Sequence, residues 1–465
     1  MFVFYKDDYL LSFLFQKIDS FYRKRRWTAC FILLVVTLVP AFMSHLNRAY
    51  ELYHDAETCE KWEASQYWIT AAQTYKDTGI WLVCQDASGK IVPYDQFAYA
   101  DDIGHALFLS LIGKTFNVDF TPLKIIYFNA YLNLFGILLA LAFFFKLRFD
   151  YIFATILFIA VYYFIFVQGY YSPHYAGLGM VSFISITPFS LLAFRYGWCH
   201  KRSALLFAIS GVFLLACATL MRSVFGYFGV VTGLSILIYM MVKKWKNFKH
   251  VSTYFVLAVA IIFAWLSPKW TLMIRDKIFS VNQEYNPYEK SIWEGPHGIS
   301  HNLFIGLGIV PNKWGIEYED LSGYEFAKRV DPSVAYASNQ HFKILKNLYF
   351  QYIKEDPLEI LRIYYEKIKM MLKYPPLLIS FLIFPIFCFS FFLKTSLTRR
   401  KELPLFLLST VGVLFFFLQG LLAHPGRYYI GPAIFFSCIQ CGILLHYFSR
   451  MIKMRHQNTL QIESC

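Results

Sequence analysis

Charge is what this chain has least of. Only 16% of its 465 residues are Asp, Glu, Lys or Arg, where soluble globular domains carry about a quarter. With 57% hydrophobic and 20% aromatic residues and a mean hydropathy of +0.44, that scarcity excludes an ordinary soluble domain. The chain also lacks a Gly-rich phosphate loop, so no nucleotide site is expected. No Cys/His set has the spacing of a metal centre, and no cofactor is required by the sequence, although a divalent cation stays open. The net charge of +14 is not gathered into one patch or nucleic-acid-binding motif, and nucleic acid is not expected as a partner. No A-x-A-like cleavage site ends the first apolar run, which about 27 residues precede, so that run is expected to be an anchor.

What is present is apolar length. About ten runs reach the length that crosses a hydrocarbon core of about 30 Å: Thr28–Leu46, Lys124–Phe145, Tyr151–Gly169, Ala176–Phe194, Ser203–Met221, Val224–Met241, Val251–Ser267, Pro376–Leu393, Leu403–Leu422 and Ile430–Phe448. The fold class this predicts is all-α: a polytopic transmembrane helical protein with outer juxtamembrane helices and one large outer loop region. An eleventh piece, Ile103–Phe116, is too short to cross and reads as interfacial or re-entrant.

Lys and Arg fill every second connection: Arg23–Arg26, Lys146 and Arg148, Arg195 to Arg202, Lys243–Lys249, Arg399–Lys401 and the tail. The positive-inside rule then places both termini in the cytoplasm. The excess of basic residues is a topology signal. The expected organisation is a cytoplasmic interfacial helix over 1–27, a transmembrane module over 28–268 with an acidic first outer loop at 47–121, a large outer region over 269–375, a second transmembrane module over 376–449 and a cytoplasmic tail over 450–465.

Two outer regions have room for chemistry. The first holds Asp55, Glu57, Glu60, Glu63 and Asp77, then Asp101 and Asp102. Acids on an exposed helix are ordinary, but here they crowd at a membrane surface in a chain that is otherwise sparing of them. Cys59 and Cys84 share this loop in an oxidising compartment. A disulfide between them would close about 26 residues and contribute about 3 kcal/mol on the chain-entropy model. The second region contains His297, His301 and Asn302, and its Asp331-Pro332 and Asp356-Pro357 pairs read as N-cap and N1 positions. Arg222 stands where only a short turn joins two spans, a costly place for a charge unless it snorkels or grips a lipid phosphate. A last short connection, AHPGRYYIGP, carries His424 and Arg427.

These residues together resemble the GT-C superfamily of membrane glycosyltransferases, which includes protein O-mannosyltransferases and lipid A aminoarabinose transferases. Glu63 stands four residues before Tyr67-Trp68. The AAQTYKDTG run follows, then DDIGHALFLSLIGKTF, AISGVFLLACATLMRS and HPGRYYIGP, each similar to a segment of that family. Two positions depart from its pattern: Glu63 replaces an Asp-Glu pair, and Asp101-Asp102 replaces a proline pair.

The resemblance implies transfer of a sugar from a polyprenyl-phosphate donor to a lipid, glycan or protein acceptor, with inversion, at the outer face of a bacterial inner membrane. Glu63, Asp55, Glu57 or Asp102 would be the base that takes the acceptor proton. Arg222 and Arg427, with His301 and His424, would hold the donor phosphate. An O-antigen ligase or polymerase, a polyprenyl-lipid transporter and a non-catalytic assembly factor are the other readings. The ligase would favour a late loop rich in Arg and His, and the transporter internal repeats with ionisable groups deep in its spans.

Overall fold

The computed structural model describes residues 25–54, 63–86, 88–94, 103–166, 177–283, 299–336, 338–382, 402–425 and 431–446. Its long helices are α1 (Arg26–Tyr53), α4 (Pro122–Lys146), α5 (Asp150–Phe166), α6 (Gly177–Tyr196), α7 (Lys201–Met221), α8 (Ser223–Lys244), α9 (Phe248–Trp265), α15 (Glu402–Leu422) and α16 (Gly431–His446). Between them lie α2 (Glu63–Thr78), β1 (Val83–Gln85), β2 (Ile91–Pro93), α3 (Gly104–Phe116), α10 (Ser267–Gln283), α11 (Ile299–Ile305), α12 (Asp320–Val330), α13 (Asn339–Glu355) and α14 (Pro357–Leu372).

Among the described residues, six helices are long and apolar enough to cross a membrane: α1, α4, α6, α7, α8 and α15. The pair α9 and α10, bent by 60° at Leu266, makes up to seven. Pro268 explains the bend, because it brings no N–H to continue the helical ladder. The helices α5 and α16 are apolar but shorter, and the expected span Pro376–Leu393 leaves the described residues after Leu382.

Local chemistry sets the helix limits. Thr121 caps α4 by accepting from the Lys124 N–H at 3.3 Å, with Pro122 in the first turn and Lys146 in the last. Asn247 caps α9 in the same way. Helix α3 stops after 13 residues because Asn117 turns left-handed at φ 52°, a conformation Asn tolerates better than most residues.

One helix organises the bundle. In α6, 83% of the apolar window is buried, and α4, α7, α8 and α15 pack around it. In lipid, helices associate by close packing and interhelical hydrogen bonds more than by hydrophobic gain, and α6 uses both. A Cβ on Gly136 would strike the Gly179 backbone, and one on Gly179 would lie 2.5 Å from the Asn133 Cα. At that crossing Asn133 accepts from the Gly179 N–H at 2.8 Å, satisfying a donor in the first turn of α6 that the helix itself leaves open. Phe158, Leu206, Phe213, Val231, Phe255 and Val256 point outward, as residues facing acyl chains do.

Arg26, Lys146, Arg148, Arg195, Lys201, Arg202 and Lys244 stand at helix ends on one side of the bundle. There the Arg26 guanidinium pairs with Asp150, donates to the Phe145 carbonyl at 2.6 Å and lies 4.0 Å over the Phe145 ring. At the other end are two small folded units. The first is α2, α3 and the antiparallel hairpin, in register Val83↔Pro93, Cys84↔Val92 and Gln85↔Ile91. The second is built from α11 to α14 around Phe304, Leu307, Phe326, Leu345 and Ile363.

The capping expectations divide. Asp356 does cap α14, accepting from the Glu359 N–H at 3.0 Å with Pro357 in the first turn. Asp331 instead ends α12, and its carboxylate accepts from the Ser333 N–H at 3.0 Å and hydroxyl at 2.6 Å. That local turn satisfies Asp331 without a following helix.

Candidate functional site

Helix α2 supplies the roof of the first unit. Ala71, Ala72 and Thr74 are buried, and these small residues let α2 press closely onto α3, with Trp68 stacked on His105 at 4.1 Å and 7°. The His105 Nε2 lies 2.9 Å from the Asn129 Oδ1. Because an amide oxygen only accepts, the His105 Nε2 carries the proton. Asn133 then donates to the Asn129 carbonyl at 3.0 Å. A polar ladder thus runs from the roof, through α4, to the start of α6.

Arg222 lies at the floor. It is the single non-helical residue between α7 and α8, extended at φ −159° and ψ 110°, and half-buried. Its N–H closes α7 onto the Ala218 carbonyl at 2.8 Å, and its carbonyl accepts from Phe225 at 3.0 Å. The first turn of α3 sits directly on this break: a Cβ on Gly104 would lie 2.6 Å from backbone atoms of Leu220 and Met221. The segment that follows the acids is thereby brought to the arginine.

The sequence-predicted acids divide between seen and unseen. Glu63 is the first residue of α2, while Asp55, Glu57, Asp102, Cys59 and Arg427 lie outside the described residues. Of the expected Cys59–Cys84 bridge only Cys84 is among the described residues, as a free thiol. Its side of the hairpin packs into a core with Trp68, Tyr94 and Ala106, its Sγ is 3.5 Å from the Tyr67 carbonyl, and burial pushes the thiol up to about 12.

Arg275 was not singled out from the sequence. It is 1% exposed, donating to the Leu82 carbonyl at 2.7 Å and to Asp276 at 2.6 Å. The same carbonyl accepts from the Tyr94 N–H at 3.0 Å, which holds Leu82 in a left-handed conformation at φ 56°. A signal was available, since Leu272, Arg275 and Phe279 keep helical spacing and place the guanidinium on the stripe that meets the hairpin.

The histidines belong to the second unit. His301 is 1% exposed, with its Nε2 3.1 Å from the Asp320 carboxylate and its ring 5.5 Å from that of His341. His424 follows α15 and packs on Tyr318 at 4.5 Å. Burial, then the nearby Lys367, lowers its pKa to about 4. His424 is therefore neutral at neutral pH.

Among the described residues no three His, Cys, Asp or Glu side chains are grouped to hold a metal ion. A shallow groove on α13, lined by Asn347, Phe350, Gln351, Lys354 and Glu355, contains none of the candidate residues. Cys438 and Cys441 have C-x-x-C spacing, but they are free thiols within the apolar helix α16. No protein-family model, curated protein or solved structure matches the chain.

Proposed function

We propose that this protein is a membrane glycosyltransferase. It takes a sugar from a polyprenyl-phosphate donor and passes it to a lipid, glycan or protein hydroxyl at the face opposite its basic end. The observation that carries this reading is the helix break at Arg222 beneath the first turn of α3. A donor phosphate anchored by its lipid tail stays at the membrane surface, and in this reading the half-buried Arg222 is the cation that meets its oxygens through its planar fork. Charge grows on that phosphate as the glycosidic bond breaks, so a fixed cation lowers the barrier. A carboxylate of the acidic segment removes the acceptor proton as its oxygen attacks the anomeric carbon; the phosphate departs with the bonding electrons, and the configuration inverts.

The full topology in this reading has about ten crossings with both termini cytoplasmic, in a bacterial inner membrane. The short apolar helices α5 and α16 and the run Pro376–Leu393 supply the crossings beyond those counted by length. The test is transfer by the full-length protein, purified into bilayers, from a panel of labelled polyprenyl-phosphate sugars. Transfer that is lost in Arg222→Ala at equal folded yield supports the reading. Full activity of Arg222→Ala, or no donor consumption by the wild-type protein across the panel, overturns it.

A further inference from the structure

Helix α9 needs little help to reach the far side of a bilayer. Its 18 residues extend about 27 Å at 1.5 Å each, close to the hydrocarbon thickness of about 30 Å. The chain then turns by 60° into α10, so a span that runs near the bilayer normal delivers a helix that lies much closer to the membrane plane.

Two unlike faces run along α10. The inner one carries the hairpin unit: Arg275 donates to the Leu82 carbonyl, Phe279 packs with Ile80 and Val83, and Leu272 meets the core around Trp68. Half a turn round the helix, Trp270, Met273, Ile274 and Val281 are exposed at a spacing that keeps them in one stripe. That stripe begins before α10. On α9 the side chains of Phe255, Val259, Ile262 and Phe263 are exposed along one face, and Phe263 stacks on Trp270 across the bend at 5.4 Å and 26°. The surface that acyl chains cover on α9 therefore passes onto α10 without a gap. Within the stripe Lys277 is exposed too, where its long stem can carry the ammonium up to lipid phosphates.

We propose that α10 is an interfacial helix that seats the hairpin unit on the phospholipid leaflet: Trp270, Met273 and Ile274 enter the boundary between headgroups and acyl chains, while Arg275 and Phe279 hold the hairpin on the opposite face. This surface is separate from the chemistry proposed above. A bilayer suits the face better than a soluble partner, because the stripe starts within a few residues of a span and continues that span's lipid-facing side. Tryptophan at its head belongs at the headgroup level, and a helix with one apolar face and one packed polar face rests in that layer rather than crossing it.

The placement is tested with the full-length protein in nanodiscs of plain or brominated phosphatidylcholine. Subtracting the fluorescence of Trp270→Phe from that of wild type isolates Trp270. Bromines near the headgroup end of the acyl chains are expected to quench that difference more than bromines near the chain ends, and aqueous acrylamide to quench it little. Stronger quenching by the deep bromines would make α10 the second limb of a broken span, strong quenching by acrylamide would put the face in water, and protection from every quencher would put protein over it. Each of those three results overturns the placement. The seat is read separately, by hydrogen exchange across β1, β2 and the Tyr94 amide. Met273→Ser combined with Ile274→Ser is expected to speed that exchange about tenfold with α4 unchanged, whereas Leu321→Ser, which removes an exposed leucine of the second unit, should leave it as it was. Unchanged exchange in the double variant would overturn the coupling between leaflet and hairpin.

Discussion

At the scale of single residues, the proposed chemistry turns on which acid is the base. Glu63 opens α2, a helix that Trp68 and Ala71 hold against α3, and it is the first candidate by its sequence register. Glu63→Gln is expected to cut transfer by about 10²–10⁴-fold at matched folded protein. A larger loss in Asp102→Asn or Asp55→Asn would move the base there. Replacing Arg222 by Lys keeps the charge but loses the paired donors, and is expected to raise the donor KM more than it lowers kcat. Cys84 gives a test free of any substrate. Buried and pushed up to about 12, it is expected to resist maleimide at pH 7–8 until the protein is unfolded, since the thiolate is the reactive form. Labelling of folded protein at the rate of an exposed thiol would contradict the packed hairpin.

At the scale of elements, apolar run length disclosed the helices: the expected spans among the described residues fall on helices, although Val251–Ser267 runs past the break at Leu266. A cap was readable where side-chain chemistry is local, as at Asp356-Pro357. The Asp331-Pro332 pair misled because an Asp before a Pro serves a turn as well as a helix start, and only the residues after the proline decide between them. Lys367 and Arg275 were passed over for a different reason. Each lies in a stretch with other basic residues, and only the apolar periodicity around it reveals that it points inward. Close crossings were hidden too, since Gly136 and Gly179 meet across more than forty residues of sequence. Gly179→Val is expected to cost at least about 1–3 kcal/mol by overpacking, read as a lower thermal midpoint in detergent; Asp356→Ala should cost about 1 kcal/mol through its lost cap. Equal midpoints for wild type and Gly179→Val would mean that the crossing is looser than the structure has it.

At the scale of the molecule, two buried basic groups set a pH dependence of one sign. His424 is lowered to about 4 from 6.5, so the unfolded chain binds its proton first as pH falls from 6.5 to 4, and stability is lost over that window. Lys367 is lowered by burial to about 7 from 10.5, so the unfolded chain holds more protons between pH 7 and 10.5, and stability rises across that range. The thermal midpoint is therefore expected to climb from pH 7 to 9 in the wild type and to stay flatter in Lys367→Met. A climb of equal slope in both would assign it to other groups. The positive-inside expectation also makes the topology checkable: cysteines placed beside Arg26 and beside Lys244 should be labelled from one side, and those beside Glu63 and His301 from the other.

The central place of α6 has a consequence for how the protein is made. It is the least apolar of the six long spans and carries Ser182, Ser185, Thr187 and Ser190, all buried among its neighbours. Before those neighbours exist, the same hydroxyls would face lipid, and the helix would have little reason to leave the aqueous channel that delivers it. Its residence in the membrane then depends on α4, made earlier, and on α7, made later. A nascent chain halted just after Tyr196 would hold an unsettled span, and only the arrival of the next helix would commit it to the bilayer.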